Sequence, residues 1–150
     1  MEGVAVFQNG DVDGYVLFTQ KKGSVLISVN VEGELEEGYH GMHIHDRGDL
    51  RDKCDGCCAH YNPDDNDHGG LEDDNSHAGD LGNIYVDEDG TCIMSISTSK
   101  FEVSEIIGRS VIIHEQEDDL GRGGNKESKK TGNSGKRLTC AVIGYSKKSN

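Results

Sequence analysis

Residues 41–80 read GMHIHDRGDLRDKCDGCCAHYNPDDNDHGGLEDDNSHAGD, and they hold five of the chain's seven histidines and three of its five cysteines. His43 and His45 stand two apart, so on a strand both imidazoles leave the same face. His60, His68 and His77 follow at wide spacing, and Asp80 comes three residues after His77. His114 closes a strand-like run, SVIIHE, far downstream. Imidazole nitrogens with one carboxylate suit zinc and copper rather than magnesium or calcium. The stretch reads as a metal site, with ligands enough for more than one ion.

Outward from this stretch the chain is built of short alternating runs: GVAVFQ, GYVLFT, SVLISVNV, GMHIH, NIYVD, CIMSIS, SVIIHE and LTCAVIGY. Clusters such as NGDVDG and DEDG separate them as turns. With 21 glycines, one proline and no 3.6-residue periodicity, the chain argues against helices. Eight strands at this spacing predict an all-β fold, an eight-stranded antiparallel sandwich or flattened barrel. Two segments lack a strand pattern. Residues 46–79 are rich in Asp, Gly, Asn and His, and a loop of that length in a compact domain points to function. Residues 116–136 are polar and rich in Gly and Lys.

A length of 150 residues is one domain's worth, with no internal repeat and no obvious linker. Leu, Ile, Val and Phe together number 32, and the formal charge is -13, which puts the composition near the border of disorder. Metals and a disulfide are the available supplements to so lean a core. The negative charge argues against nucleic acid or an anionic membrane as partner, because both are polyanions. MEGVAVFQNG lacks a basic region followed by a long apolar one, and no apolar run could span a bilayer. A cytoplasmic protein is the expectation.

The ordered set His43, His45, His60, His68, His77 and Asp80 is followed by GDLGN, His114-Glu115, DDLGRGGNKESKKTGNSG and RLTCAVIG. This pattern resembles the copper/zinc superoxide dismutases, weakly before Gly38 and strongly after it. The resemblance implies one such domain over residues 1–150, with Greek-key connections, a long metal-binding loop and a polar channel loop. It implies one copper per subunit held by His43, His45, His60 and His114, and one zinc held by His60, His68, His77 and Asp80. His60 would bridge the two ions, losing both ring protons, as neighbouring cations allow. The implied activity converts two superoxide anions to dioxygen and hydrogen peroxide by Cu(II)/Cu(I) cycling. His60 would take and return a proton while zinc holds it. Any one of these histidines alone reads as a surface residue, but six ligands in family order do not.

By the same resemblance, Asp118 accepts hydrogen bonds from the non-ligating nitrogens of His43 and His68, although Glu117 and Asp119 are equally acidic neighbours. Arg137 binds the substrate anion as an always-charged donor, and Lys126, Lys130 and Thr131 line the channel. Lys126 stands where relatives commonly carry Glu, and Lys129 adds a further positive charge. Cys54 and Cys140 match the family's intrasubunit disulfide, which would leave Cys57, Cys58 and Cys92 as free thiols. Cys58-Ala59 stands where many relatives have Gly-Pro. His40 is a buried hydrogen-bonding residue and not a ligand. The resemblance also implies a homodimer through Gly48, Asp49, Ile107, Gly108 and Val142 to Tyr145, with a copper chaperone as the implied partner for metal loading. The competing reading is a copper-binding, copper-delivery module of the same fold without dismutase activity. Such modules often lack a copper histidine or the arginine, and this chain has both.

Overall fold

The alternation of apolar and polar residues decides which face each strand turns inward. In β3 (Ser24–Gly33), Val25, Ile27, Val29 and Val31 are buried, while the residues between them are not. The same period places Ala5 and Phe7 of β1 (Glu2–Gln8) and Val16 and Phe18 of β2 (Val12–Lys21) inside. The remaining strands are β4 (Gly38–His45), β5 (Arg51–Cys54), β6 (Asp80–Val86), β7 (Thr91–Thr98), β8 (Ser110–His114) and β9 (Arg137–Tyr145). In this computed structural model, which describes residues 1–147, eight of them form one sheet in the order β6-β4-β8-β9-β1-β2-β3-β7. All of its pairings are antiparallel.

The sheet curls into a nearly closed barrel, and one apolar cluster fills it, with Phe18, Met42, Ile44, Ile84, Val111 and Ile143 among its members. The eight strand-like runs correspond to the eight strands of the sheet. Four short elements were not anticipated. β5 and a 3-10 turn at Asp55–Cys57 interrupt the first long loop, and a second 3-10 turn, Glu127–Lys129, interrupts the other. One α-helical turn, Val103–Ile106, also departs from the helix-free expectation. It buries Val103 and Ile106, and the Glu102 backbone N–H donates to the Glu105 carboxylate at 2.6 Å. Elements of three or four residues are too short for a helical period to register. Among the described residues no helix is long and apolar enough to cross a membrane.

Candidate metal centre

β4 carries core on one face and chemistry on the other. Met42 and Ile44 join the apolar cluster, so His43 and His45 point outward from the barrel, yet both are buried. They are covered because the loop 46–79 folds back along the strand. Ile44 N–H donates to Gly79 O at 2.8 Å, Tyr61 N–H to Ile44 O at 2.8 Å, and Gly79 N–H to Tyr61 O at 2.9 Å. This strapping sets His60 beside His45 and brings His77 and Asp80 to the same place. β8 pairs with β4, and its last residue, His114, adds a further imidazole.

Three imidazoles have their tautomers set by their outer partners. His43 Nε2–H donates to Asp118 Oδ2 at 2.6 Å, His45 Nδ1–H to Cys58 O at 2.8 Å, and His114 Nδ1–H to Gly135 O at 3.1 Å. Ionised carboxylate and carbonyl oxygens only accept, so the proton of each neutral ring sits on that nitrogen. The opposite nitrogens, His43 Nδ1, His45 Nε2 and His114 Nε2, are buried and have no hydrogen-bond partner among the described residues. Buried lone pairs without a donor are costly. These three rings and His60 each offer a nitrogen within 4.8 Å of the others, an arrangement that a cation would satisfy.

A second group adjoins the first. Asp80 Oδ1 lies 3.0 Å from His60 Nδ1, 2.9 Å from His68 Nδ1 and 3.3 Å from His77 Nδ1, and the His60 and His77 Nδ1 atoms are 3.0 Å apart. Three imidazole nitrogens and one carboxylate oxygen make up a four-donor set of the kind that closes around a tetrahedral ion. Asp80 Oδ2 is occupied elsewhere, accepting from Gly69 N at 3.0 Å and His77 N at 2.8 Å, which leaves Oδ1 to face the rings. His60 belongs to both groups, and its ring stacks on His43 with centroids 4.0 Å apart.

Asp118 joins the two groups from behind. Besides His43 it accepts from His68 Nε2–H at 2.7 Å and from Leu120 N–H at 2.8 Å, both on Oδ1. Its backbone is clamped to Asn83 in both directions, with Asp118 N–H donating to Asn83 Oδ1 at 2.7 Å and Asn83 Nδ2 donating to Asp118 O at 3.0 Å. Asn83 is the Asn of GDLGN, whose role the sequence did not expose. Gly132, at φ 75°, crosses so close to Asp118 and His68 that a Cβ would overlap the carboxylate. Only glycine suits both the backbone angle and the space there.

Burial keeps the first group neutral. Desolvation lowers the pKa of His43, His45 and His60 and pushes His114 down to about 4, leaving lone pairs available at neutral pH. Burial alone would also lower His68, but the Asp118 and Asp80 carboxylates hold it up at about 9. Asp80 is buried too, yet hydrogen bonds from His60, His68 and His77 keep it well below the usual carboxylate range.

The first group opens onto a cleft of about 860 Å³ lined by His45, His60, His77 and His114 at its floor and by residues of the two loops at its rim. Lys129, Lys130, Thr131 and Arg137 line it, together with the acidic Asp67 and Glu127. Arg137 is fixed by an Nη1–H donated to Cys54 O at 2.9 Å. Lys126 does not line the cleft; it precedes the 3-10 turn, and its exposed side chain belongs to the outer surface. Lys129 and Lys130, at the end of that turn, are the lysines of this loop that border the cavity.

Cys54 and Cys140 are joined as a disulfide, with Cα atoms 5.7 Å apart, and this ties the metal loop to β9. Cys57 and Cys92 are buried free thiols, and Cys58 is exposed. Burial raises the pKa of Cys57 and pushes Cys92 up to about 11. Cys58 adopts φ 64°, and its carbonyl is the acceptor that orients His45. His40 lies between the carbonyls of His114 and Glu36, each 2.7 Å from a ring nitrogen, outside both donor groups. Gly48, Gly108 and Val142 lie side by side, and Val142 and Tyr145 are exposed.

A family model described as copper/zinc superoxide dismutase matches residues 12–143. The Cu-Zn superoxide dismutase of Paramecium bursaria Chlorella virus 1 is 45% identical over 150 residues, covering 98% of this chain and 80% of that protein. The copper chaperone for superoxide dismutase of Homo sapiens is 49% identical over 138 residues, covering 91% of this chain and 50% of that protein. The chain thus spans about half the length of that second relative. The crystal structure of the clock protein EA4 superposes with a TM-score of 0.92 at 38% identity, covering 95% of this chain and 93% of that one.

Proposed function

Because the chain belongs to the copper/zinc superoxide dismutase family, we propose that it is itself a dismutase, converting superoxide to dioxygen and hydrogen peroxide. The observation that carries this reading is the set of three buried imidazole nitrogens on His43, His45 and His114 without a hydrogen-bond partner among the described residues, two of them on rings at the floor of a cleft that Arg137 lines. With His60 they would hold copper, and His60, His68, His77 and Asp80 would hold zinc. When bound, copper supplies one-electron redox chemistry, and zinc adds fixed positive charge beside it.

The chain's own residues do the rest. Arg137 is an always-charged donor that binds the incoming anion, its guanidinium held by the Cys54 carbonyl. Lys129 and Lys130 offset Asp67 and Glu127 along the cleft, which leaves Arg137 as the surplus positive charge that attracts an anion although the chain as a whole carries -13. Glu127 also accepts from Thr131 Oγ1 at 3.0 Å, which fixes the rim. His60 keeps Nδ1 among the zinc donors and can hold or release a proton at its other ring nitrogen. Asp118 fixes the rings of His43 and His68 together, so the two donor groups keep one relative orientation.

A copper-delivery module is the second reading, favoured by the likeness to the human copper chaperone. Metal analysis with a superoxide-dismutation assay on the purified protein separates the two. Copper and zinc at one each per chain with rapid dismutation supports the enzyme; the same metals with no activity leaves delivery. A homodimer through Gly48, Gly108, Val142 and Tyr145 accompanies the proposal, because a two-fold contact would cover the exposed apolar side chains there. Sedimentation equilibrium showing a monomer at micromolar concentration would rule it out.

A further inference from the structure

Lys100 lies outside both donor groups, two residues past the end of β7. Its backbone is well held. Lys100 N–H donates to Thr98 Oγ1 at 3.2 Å, and the next residue, Phe101, is buried edge-on to Phe18 with centroids 6.4 Å apart. The half-buried side chain runs toward the metal loop, and its ammonium donates to Ser76 Oγ at 3.1 Å, His77 O at 3.1 Å and Asp80 O at 2.8 Å. An ammonium has three protons, so the set is complete. Two of the acceptors are main-chain carbonyls of residues in the second donor group.

The bonds leave the ligating atoms free. Asp80 Oδ1 faces His60, His68 and His77, and Oδ2 accepts from Gly69 and His77. Lys100 takes only the Asp80 carbonyl. It therefore fixes the backbone that carries His77 and Asp80 without competing for the carboxylate. It also spans a gap in the sheet, since β6 and β7 are its two edges and do not pair.

We propose that Lys100 is a positioning residue for the second donor group, a latch that fastens the segment from His77 to Asp80 to the end of β7 and so sets zinc affinity. This rests on the zinc assignment above. Charge alone would act the other way, because an ammonium next to a bound cation repels it. The two effects therefore predict opposite signs when Lys100 is neutralised.

The test measures zinc affinity by chelator competition on the metal-stripped, disulfide-intact chain, with cobalt(II) as a spectroscopic probe of the same donors. Lys100→Met is expected to weaken zinc about 10- to 100-fold, the usual effect of losing a partner that orients a ligand, and to change the visible bands of the cobalt form. Lys100→Arg keeps charge and donors and should restore most of both. Ser76→Ala removes one acceptor and should weaken zinc less than Lys100→Met does. Zinc binding by Lys100→Met as tight as wild type, or tighter, overturns the latch. So does an affinity loss accounted for entirely by a lower melting temperature of the metal-free protein. A wild type that takes up no zinc removes the zinc assignment, and the latch falls with it.

Discussion

Replacing Asp118 with Asn should damage one metal site selectively, and the hydrogen bonds say which. Asp118 Oδ1 serves two donors, His68 Nε2 at 2.7 Å and the Leu120 backbone N–H at 2.8 Å. Oδ2 serves one, His43 Nε2 at 2.6 Å. An Asn side chain has one oxygen and one NH2 group, and the backbone N–H of Leu120 cannot become an acceptor. The amide oxygen must then stay at the Oδ1 position, and the NH2 group faces His43. To accept from it, the His43 ring must move its proton to Nδ1, the nitrogen now free and aimed at the first donor group. Loss of such an orienting partner costs about 10- to 100-fold in metal affinity, or about 1.4–2.7 kcal/mol. Asp118→Asn should lose that much copper affinity and considerably less zinc affinity, while Asp118→Ala, which orients neither ring, weakens both. Competition titrations with each metal give the affinities, and nitrogen chemical shifts of the metal-free imidazoles report the His43 tautomer. Unchanged copper affinity, or a loss confined to zinc, would refute the reasoning.

Other consequences follow from the same geometry. Cys54→Ser opens the disulfide that closes an 86-residue separation, which the chain-entropy model values at about 4–5 kcal/mol; calorimetry under oxidising conditions should show the larger drop in the metal-free protein, and equal melting of metal-free wild type and variant counts against it. In the metal-free protein, stability should fall as pH drops from 6.5 to 4, because the unfolded chain binds protons that buried His114, pushed down to about 4, refuses. That residue alone accounts for about 3 kcal/mol, with His43, His45 and His60 acting in the same direction. His68, held up at about 9, acts oppositely: its contribution is complete below about 6.5 and is lost as pH rises through 9. Urea melts from pH 4 to 9 check both signs: a flat profile between pH 4 and 6.5 would contradict the first, and no loss between 6.5 and 9 the second. For the dismutation rate, Lys129→Glu should slow the reaction at low salt and flatten its salt dependence more than Lys126→Glu, because only Lys129 lines the cleft. Arg137→Ala should cost more at every ionic strength, and a salt series that ranks Lys126→Glu above Lys129→Glu would reverse the assignment.

Much of the fold was legible in the chain because a two-residue period is a local property. Val25, Ile27, Val29 and Val31 declare their inward face without reference to any other strand, and the eight alternating runs correspond to the eight strands of the sheet. The order of His43, His45, His60, His68, His77 and Asp80 likewise names a metal-binding stretch and, with its flanking runs, a family. Other features depend on partners distant in sequence. The proton positions on His45 and His114 are set by the backbone carbonyls of Cys58 and Gly135, which every residue possesses and no side-chain pattern marks. Asp118 could be told from Glu117 and Asp119 only through alignment, until the fold set its carboxylate between His43 and His68. Lys126 and Lys129 look alike in NKESKK, and only the folded loop shows that Lys129 borders the cleft and Lys126 does not. Lys100 shows no signal at all, because its three acceptors lie 20 to 24 residues back in the chain and two of them are main-chain carbonyls. Composition and spacing thus determine which residue types are available and which face of a strand they take. The closing of the barrel and the strapping of the loops decide which nitrogen carries a proton and which charge meets the substrate, because those depend on distances of about 3 Å between groups far apart in the chain.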